Sequence, residues 1–185
     1  MRDRDDSVAD LHRTRDDVGM AELVLVRGDV TLQETDAIVN AANAALAEGT
    51  GVCGAVFAAA GRSDLAAACR AIGRCPVGDA CTTPGFGLRA RWIIHAVGPR
   101  WSGGHSGEAE LLAGAYRAVL READAIGARS VATPILSSGI FGYPLDDACR
   151  IAVETLRDTP SSADEIRLVA FDERTVAVLA GLLPV

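Results

Sequence analysis

The chain has 185 residues, 49% of them hydrophobic, which suits a single domain with a sizeable core. Its formal net charge of −7 excludes broad, non-specific binding to nucleic acid, which needs a cationic surface. A small anionic ligand remains open, because backbone N–H groups hold phosphate without a net positive protein.

Residues 1–20, beginning MRDRDDSVADLHRTRDDV, alternate charges and lack the apolar core of a signal peptide. They read as a mobile arm ahead of one domain over residues 21–185. Short apolar runs at 22–27 (ELVLVR) and 36–40 (DAIVN) predict strands. A helical stretch covers 55–72, broken near Gly61, and 80–83 predicts a short strand. Residues 92–97 (WIIHAV) predict a buried strand. Over 108–126, apolar residues recur at Leu111, Leu112, Ala115, Val119 and Ala123, the spacing of a helix. A strand at 130–136 (SVATPIL) precedes a helix at 145–157, with Pro144 where proline is tolerated. A strand at 166–171 (IRLVAF) and a helix at 173–183 close the chain. Strands separated by helices predict an α/β layered domain with a mixed, mostly parallel central sheet.

No apolar run reaches the roughly 18 residues of a membrane span, so no membrane partner is expected. Cysteines 53, 69, 75, 81 and 149 are odd in number and show no CxxC spacing, which predicts reduced thiols in a cytoplasm. His12, His95 and His105 show no ligand-type spacing with them, so neither metal nor cofactor is expected. All 18 basic residues are arginines, which removes any mechanism that needs a catalytic lysine.

In parallel sheets ligands sit beyond the carboxyl ends of the strands, which directs attention to four loops. Asp29, in RGDV, suits either an acceptor for an exocyclic amine or a turn cap. Asn40 and Asn43 flank two alanines; an amide there suits a ribose diol or an Asx turn. Glycines 49, 51 and 54 let N–H groups converge on a helix start, which suits a diphosphate. Their spacing is neither GxGxxG nor GxxxxGK[ST]. Residues 137–144 (SSGIFGYP) repeat the plan, and Phe141 between two glycines reads as facing a sugar or as a core aromatic.

Taken in order, GDVT (28–31), DAIVNAANAAL (36–46), GTGVCGAVFAAAG (49–61), WIIHAVGPRW (92–101) and TPILSSGIFGYP (133–144) resemble the macrodomains, which bind ADP-ribose. The resemblance spans residues 21–183 and implies a three-layer α/β/α fold. It implies that Asp29 bonds the adenine amine and Val30 contacts the base through its backbone. Asn43 would address the distal ribose. Gly51, Val52, Cys53 and Gly54 would form a first diphosphate loop. Ser137, Ser138, Gly139, Ile140 and Phe141 would form a second, with Phe141 on the distal ribose and Phe171 stacking on adenine. Asn40 reads as structural and His95 as a core histidine.

The chain is most similar to the MacroD-type hydrolases, which remove ADP-ribose from acidic side chains and deacetylate O-acetyl-ADP-ribose. Where those enzymes carry GGVDG this chain has TGVCG, so Cys53 stands in place of the loop aspartate, ten residues after Asn43. A thiolate beside a diphosphate meets a like charge, so Cys53 reads as a small, weakly polar loop residue rather than a nucleophile. The implied activity is hydrolysis of mono-ADP-ribose from Glu or Asp side chains. Asn43 and Phe141 would act at the reacting sugar and the substrate's own phosphate would activate water. A non-catalytic ADP-ribose reader and an O-acetyl-ADP-ribose deacetylase are the alternatives. The implied partners are ADP-ribose and ADP-ribosylated proteins.

Overall fold

A computed structural model of the chain describes residues 19–183. Of the expected N-terminal arm only Gly19 and Met20 fall among them, and Gly19 forms a two-way backbone bridge with Ser161. Six strands form one sheet: β1 (Glu22–Arg27), β2 (Ala37–Ala41), β3 (Ala80–Pro84), β4 (Trp92–Ala96), β5 (Ser130–Thr133) and β6 (Glu165–Ala170). Their spatial order is β1-β6-β5-β2-β4-β3, with every neighbouring pair parallel except the edge pair β3 and β4. The central strands are buried on both faces, which is why β2 reads as an almost continuous apolar run rather than an alternating one.

Five helices cover the sheet: α1 (Val52–Ala60), α2 (Arg62–Ile72), α3 (Glu108–Ile126), α4 (Leu145–Asp158) and α5 (Glu173–Leu182). One face packs Ile38 and Ile93 against Val56, Phe57 and Leu65 of α1 and α2. The other packs Val39 and Ile94 into a larger core with residues of α3, α4 and α5. The result is the three-layer α/β/α arrangement with a mixed, mostly parallel sheet. Among the described residues no single helix is long and apolar enough to cross a membrane.

Two elements differ from expectation in their bounds. The helix expected over 55–72 starts at Val52, and its expected break falls at Gly61, which at φ 100° bends the chain by 111° between α1 and α2. The strand expected over 130–136 stops at Thr133, because Pro134 has no N–H for the ladder. The chain then leaves the sheet, and the Leu136 N–H donates instead to the buried Tyr116 hydroxyl at 2.9 Å.

Because β1, β2, β4, β5 and β6 run the same way, the segments that follow them gather at one edge of the sheet. All four loops singled out above, and the segment 97–107 after β4, lie there. At the opposite edge a cavity of about 670 Å³ is lined by Glu34, Thr35, Asp36, Arg89, Arg91 and Ser130. Much of its polar lining is already engaged. Asp36 accepts from Arg129 N–H and from Ser130 N–H and hydroxyl, and Arg89 pairs with Glu34.

Candidate functional site

At the end of β1, Asp29 caps a short 3-10 turn over Val30–Leu32 that the sequence did not announce. Its Oδ1 accepts from the Thr31 N–H and hydroxyl, both at 2.8 Å. Among the described residues Oδ2 has no partner. The Gly28 N–H donates to Ala170 O at 2.9 Å, so this turn lies beside the end of β6. Phe171, the next residue there, is 79% exposed. Covering a phenylalanine ring is worth roughly 1.5–3 kcal/mol, which a planar ligand can collect.

At the end of β2, the Asn43 amide organises its own loop. Its Nδ2 donates to Ala47 O at 2.8 Å, and its Oδ1 accepts from Ala45 and Ala47 N–H at 3.2 Å each. The Asx-type turn is therefore what the fold makes of Asn43. Among the described residues one Nδ2 hydrogen stays uncommitted.

The first glycine loop leads into α1. Gly51 is its N-cap at φ 60°, ψ −136°, and makes no side-chain cap. The N–H groups of Val52, Cys53 and Gly54 consequently donate to no atom among the described residues, and the positive end of the helix dipole lies behind them. A Cβ on Gly51 would meet nothing within 4 Å, whereas one on Gly54 would lie 2.7 Å from Gly49 O. Gly54 is glycine because two stretches of backbone touch there.

Cys53 is buried, with 6% of its surface exposed. Its thiol lies 3.7 Å from Ala47 O, the same carbonyl that Asn43 holds, and receives Asn40 Nδ2 at 3.8 Å. Burial pushes its pKa up, only partly offset by the Asn40 amide and the Gly49 N–H. The side chain is thus a protonated tie between the asparagine loop and the first turn of α1. Iodoacetamide near neutral pH is expected to label Cys53 only after unfolding; rapid native labelling would contradict this assignment.

Behind Cys53 a polar chain runs into the core. Asn40 Nδ2 lies 3.1 Å from His95 Nδ1, and His95 Nε2 lies 2.9 Å from Thr83 Oγ1 and 3.9 Å from Cys69 Sγ. With the amide nitrogen donating to Nδ1, the imidazole proton is on Nε2 and points to Thr83. Burial lowers the His95 pKa to about 4, so the ring is neutral. The core reading of His95 and the structural reading of Asn40 agree with this geometry.

The second glycine loop follows β5, the strand beside β2. Ser137 is buried at φ 65°, an uncommon conformation for a residue with a side chain. Its Oγ has no partner among the described residues, and a Cβ on Gly98 would come within 2.2 Å of it. The loop closes through Tyr143 N–H to Ser137 O at 3.0 Å and Gly142 N–H to Gly139 O at 2.9 Å. The intervening N–H groups of Ser138, Gly139, Ile140 and Phe141 donate to no atom among the described residues. A run of free backbone donors of this kind makes an anion-binding concavity.

The segment 97–107 braces this loop. Trp101 N–H donates to Phe141 O at 2.8 Å, the Trp101 and Tyr143 rings meet at 4.7 Å, and the Arg100 guanidinium lies 4.6 Å over the Phe141 ring. Glu108, at the start of α3, holds the segment. It accepts from Ser102 N–H and hydroxyl at 3.1 and 2.6 Å, Gly104 N–H at 3.1 Å and Ser106 N–H at 2.6 Å. The Ser102 hydroxyl, followed by these backbone donors, brings its pKa down to about 2. Sequence reasoning missed Glu108; an acid in the first turn of a helix after a Ser/Gly-rich segment is the signal that was there. Among the described residues no three His, Cys, Asp or Glu side chains gather into a metal-binding group.

Two donor-rich loops on adjacent strands, with an unpaired carboxylate oxygen and an exposed phenylalanine beside them, invite comparison with known proteins. The Macro domain family model matches residues 39–152. The chain belongs to the Macro domain family. This macrodomain is 47% identical over 170 residues to a macro domain-containing protein of Streptomyces coelicolor, covering 89% of this chain and 99% of that one. An uncharacterized protein of Fusobacterium nucleatum is 48% identical over 159 residues, covering 83% and 90%. Among solved structures, an Oceanobacillus iheyensis macrodomain mutant with ADPR superposes at TM-score 0.79 with 35% identity, over 86% of this chain and 90% of that one. The Trypanosoma brucei macrodomain in complex with ADP-ribose superposes at 0.79 with 34% identity, over 86% of this chain and 68% of that one.

Proposed function

We propose that this macrodomain binds ADP-ribose and hydrolyses its ester to Glu or Asp side chains of modified proteins, as MacroD-type enzymes do. The observation that carries the reading is the pair of free N–H runs, 52–54 and 138–141, on loops after the adjacent strands β2 and β5. Such donors suit the two phosphates of a diphosphate. Gly51 and Gly139, with open space where a Cβ would be, allow the backbone to be approached closely. The free Oδ2 of Asp29 accepts from the adenine amine, Val30 meets the base and Phe171 stacks on it. The remaining Asn43 N–H addresses the distal ribose, with Phe141 against the sugar.

Among the described residues no side-chain base stands at this place. Cys53, in the position of the MacroD loop aspartate, is a buried thiol with a raised pKa, His95 is sealed in the core, and there is no lysine. Water activation therefore falls to the substrate. The hydroxyl of water joins the distal ribose carbon, the acidic side chain leaves as a carboxylate, and a diphosphate oxygen takes the proton. Fixed geometry supplies several kcal/mol toward such a step. Deacetylation of O-acetyl-ADP-ribose is the alternative ester hydrolysis for the same site; there water attacks the acetyl carbonyl and the ribose hydroxyl leaves. Five free cysteines are in keeping with a reducing, cytoplasmic setting.

The missing carboxylate at position 53 favours a second reading, a module that holds ADP-ribose without turnover. Incubation with a protein carrying ADP-ribose on glutamate separates the two. The enzyme releases ADP-ribose, and Asn43→Ala or Phe141→Ala lowers kcat/KM by about tenfold or more, the loss of at least one positioning contact. Stoichiometric binding without release assigns the reader instead. Absence of binding to ADP-ribose defeats both.

A further inference from the structure

Arg100 is exposed and, unlike Arg27, Arg62, Arg89, Arg129 and Arg150, has no carboxylate partner among the described residues. In a chain of net charge −7 such a cation is not short of acids to meet. The acid that organises the segment just after it, Glu108, already accepts from Ser102, Gly104 and Ser106. Arg100 is also held in place. Its guanidinium lies 4.6 Å over the Phe141 ring, and the next residue bonds Phe141 O through its N–H. A guanidinium resting on an aromatic face keeps its planar N–H edges available, and those edges match a carboxylate two-pronged.

We infer that Arg100, seated on Phe141, receives the carboxylate that leaves the distal ribose, so that the site selects ADP-ribose carried on acidic side chains. The inference rests on the hydrolase reading above, with Phe141 at the distal sugar. As the ester C–O bond breaks, its electron pair becomes the negative charge of the Glu or Asp carboxylate, and Arg100, unpaired with any carboxylate among the described residues, receives it. Free ADP-ribose lacks that group, so its affinity does not depend on this side chain.

The test uses the full chain. Arg100→Gln and Arg100→Lys are compared with wild type for release of ADP-ribose from a glutamate-modified protein and for titration with free ADP-ribose. Arg100→Gln is expected to lower kcat about tenfold, with affinity for free ADP-ribose within about twofold of wild type. Arg100→Lys keeps the charge but loses the two-pronged match, and is expected to fall between wild type and Arg100→Gln. Wild-type turnover with Arg100→Gln unchanged overturns this inference and leaves the hydrolase reading standing. Equal losses in the Gln and Lys variants overturn it too, by pointing to packing on Phe141 rather than charge. A fall in affinity for free ADP-ribose as large as the fall in rate overturns it by placing Arg100 on the nucleotide. A wild-type protein that releases nothing overturns the hydrolase reading and this inference together.

Discussion

Gly54→Ala is expected to weaken ADP-ribose binding by about 100-fold, the equivalent of roughly 2.7 kcal/mol, and to lower Tm. The added Cβ would lie 2.7 Å from the carbonyl oxygen of Gly49, and both groups are backbone. Neither has a rotamer to change, so the first turn of α1 must shift against the loop that feeds it. That turn carries the free N–H groups of residues 52–54 and the buried Cys53 tie. A competing effect has the opposite sign: alanine exceeds glycine by about 1 kcal/mol inside a helix. The clash prevails because relieving it displaces the packed side chains Cys53, Val56 and Phe57. Gly139→Ala is the control, since a Cβ there meets nothing within 4 Å and its φ is ordinary. It should leave Tm unchanged. Calorimetric titration with ADP-ribose and a thermal melt decide the matter, and a Gly54→Ala protein that binds as wild type does would remove the first loop from the site.

The second large effect lies behind the site. His95 titrates near pH 4 in the folded chain against an ordinary value of 6.5, because burial disfavours the imidazolium. Between those pH values the unfolded chain takes up a proton that the folded chain refuses. The His95 contribution is therefore fully present above about pH 6.5, shrinks as pH falls toward 4, and changes no further below that. The shift corresponds to a loss of roughly 3 kcal/mol across the window. Urea unfolding at several pH values should show this slope in wild type and a flatter one in His95→Gln; matching slopes would show that His95 does not set it. Asn40→Ala removes the amide from a fully buried position and leaves His95 Nδ1 without its partner. Together with the small cavity, that should cost about 2–4 kcal/mol, or several degrees of Tm for a domain of this size.

The elements of the fold were largely legible, because buried parallel strands and amphipathic helices leave strong periodic signals. β2 and α3 emerged within a residue of their bounds for this reason. The break at Gly61 was legible too, because glycine interrupts a helical pattern, whereas Pro134 ended β5 earlier than its apolar run implied and the helix before Gly61 began three residues early, at Val52. Asp29 and Asn43 each stood between a ligand role and a turn role, and the fold shows both side chains holding turns while retaining one free polar group. Ser137 was expected in the second loop, but the role of Glu108 and the burial of the Ser137 hydroxyl without a partner among the described residues went unseen, since they come from segments that local sequence does not connect.

The sequence by itself determined the family, the alternation of strands and helices, the absence of lysine and the presence of a cysteine in the first glycine loop. These are properties of residue identity and short-range spacing, which need no partner to be read. Only the tertiary structure decided what Cys53 touches, why a Cβ at Gly54 meets backbone, and which N–H groups of the two loops have no partner among the described residues. It also decided that Arg100 rests on Phe141 with no carboxylate partner among the described residues. The physical reason is common to all of these: close contact between backbones, burial and hydrogen-bond satisfaction are set by atoms far apart in the chain. Only packing β5 beside β2, with α1 and the segment after β4 at the same edge, brings those atoms within reach.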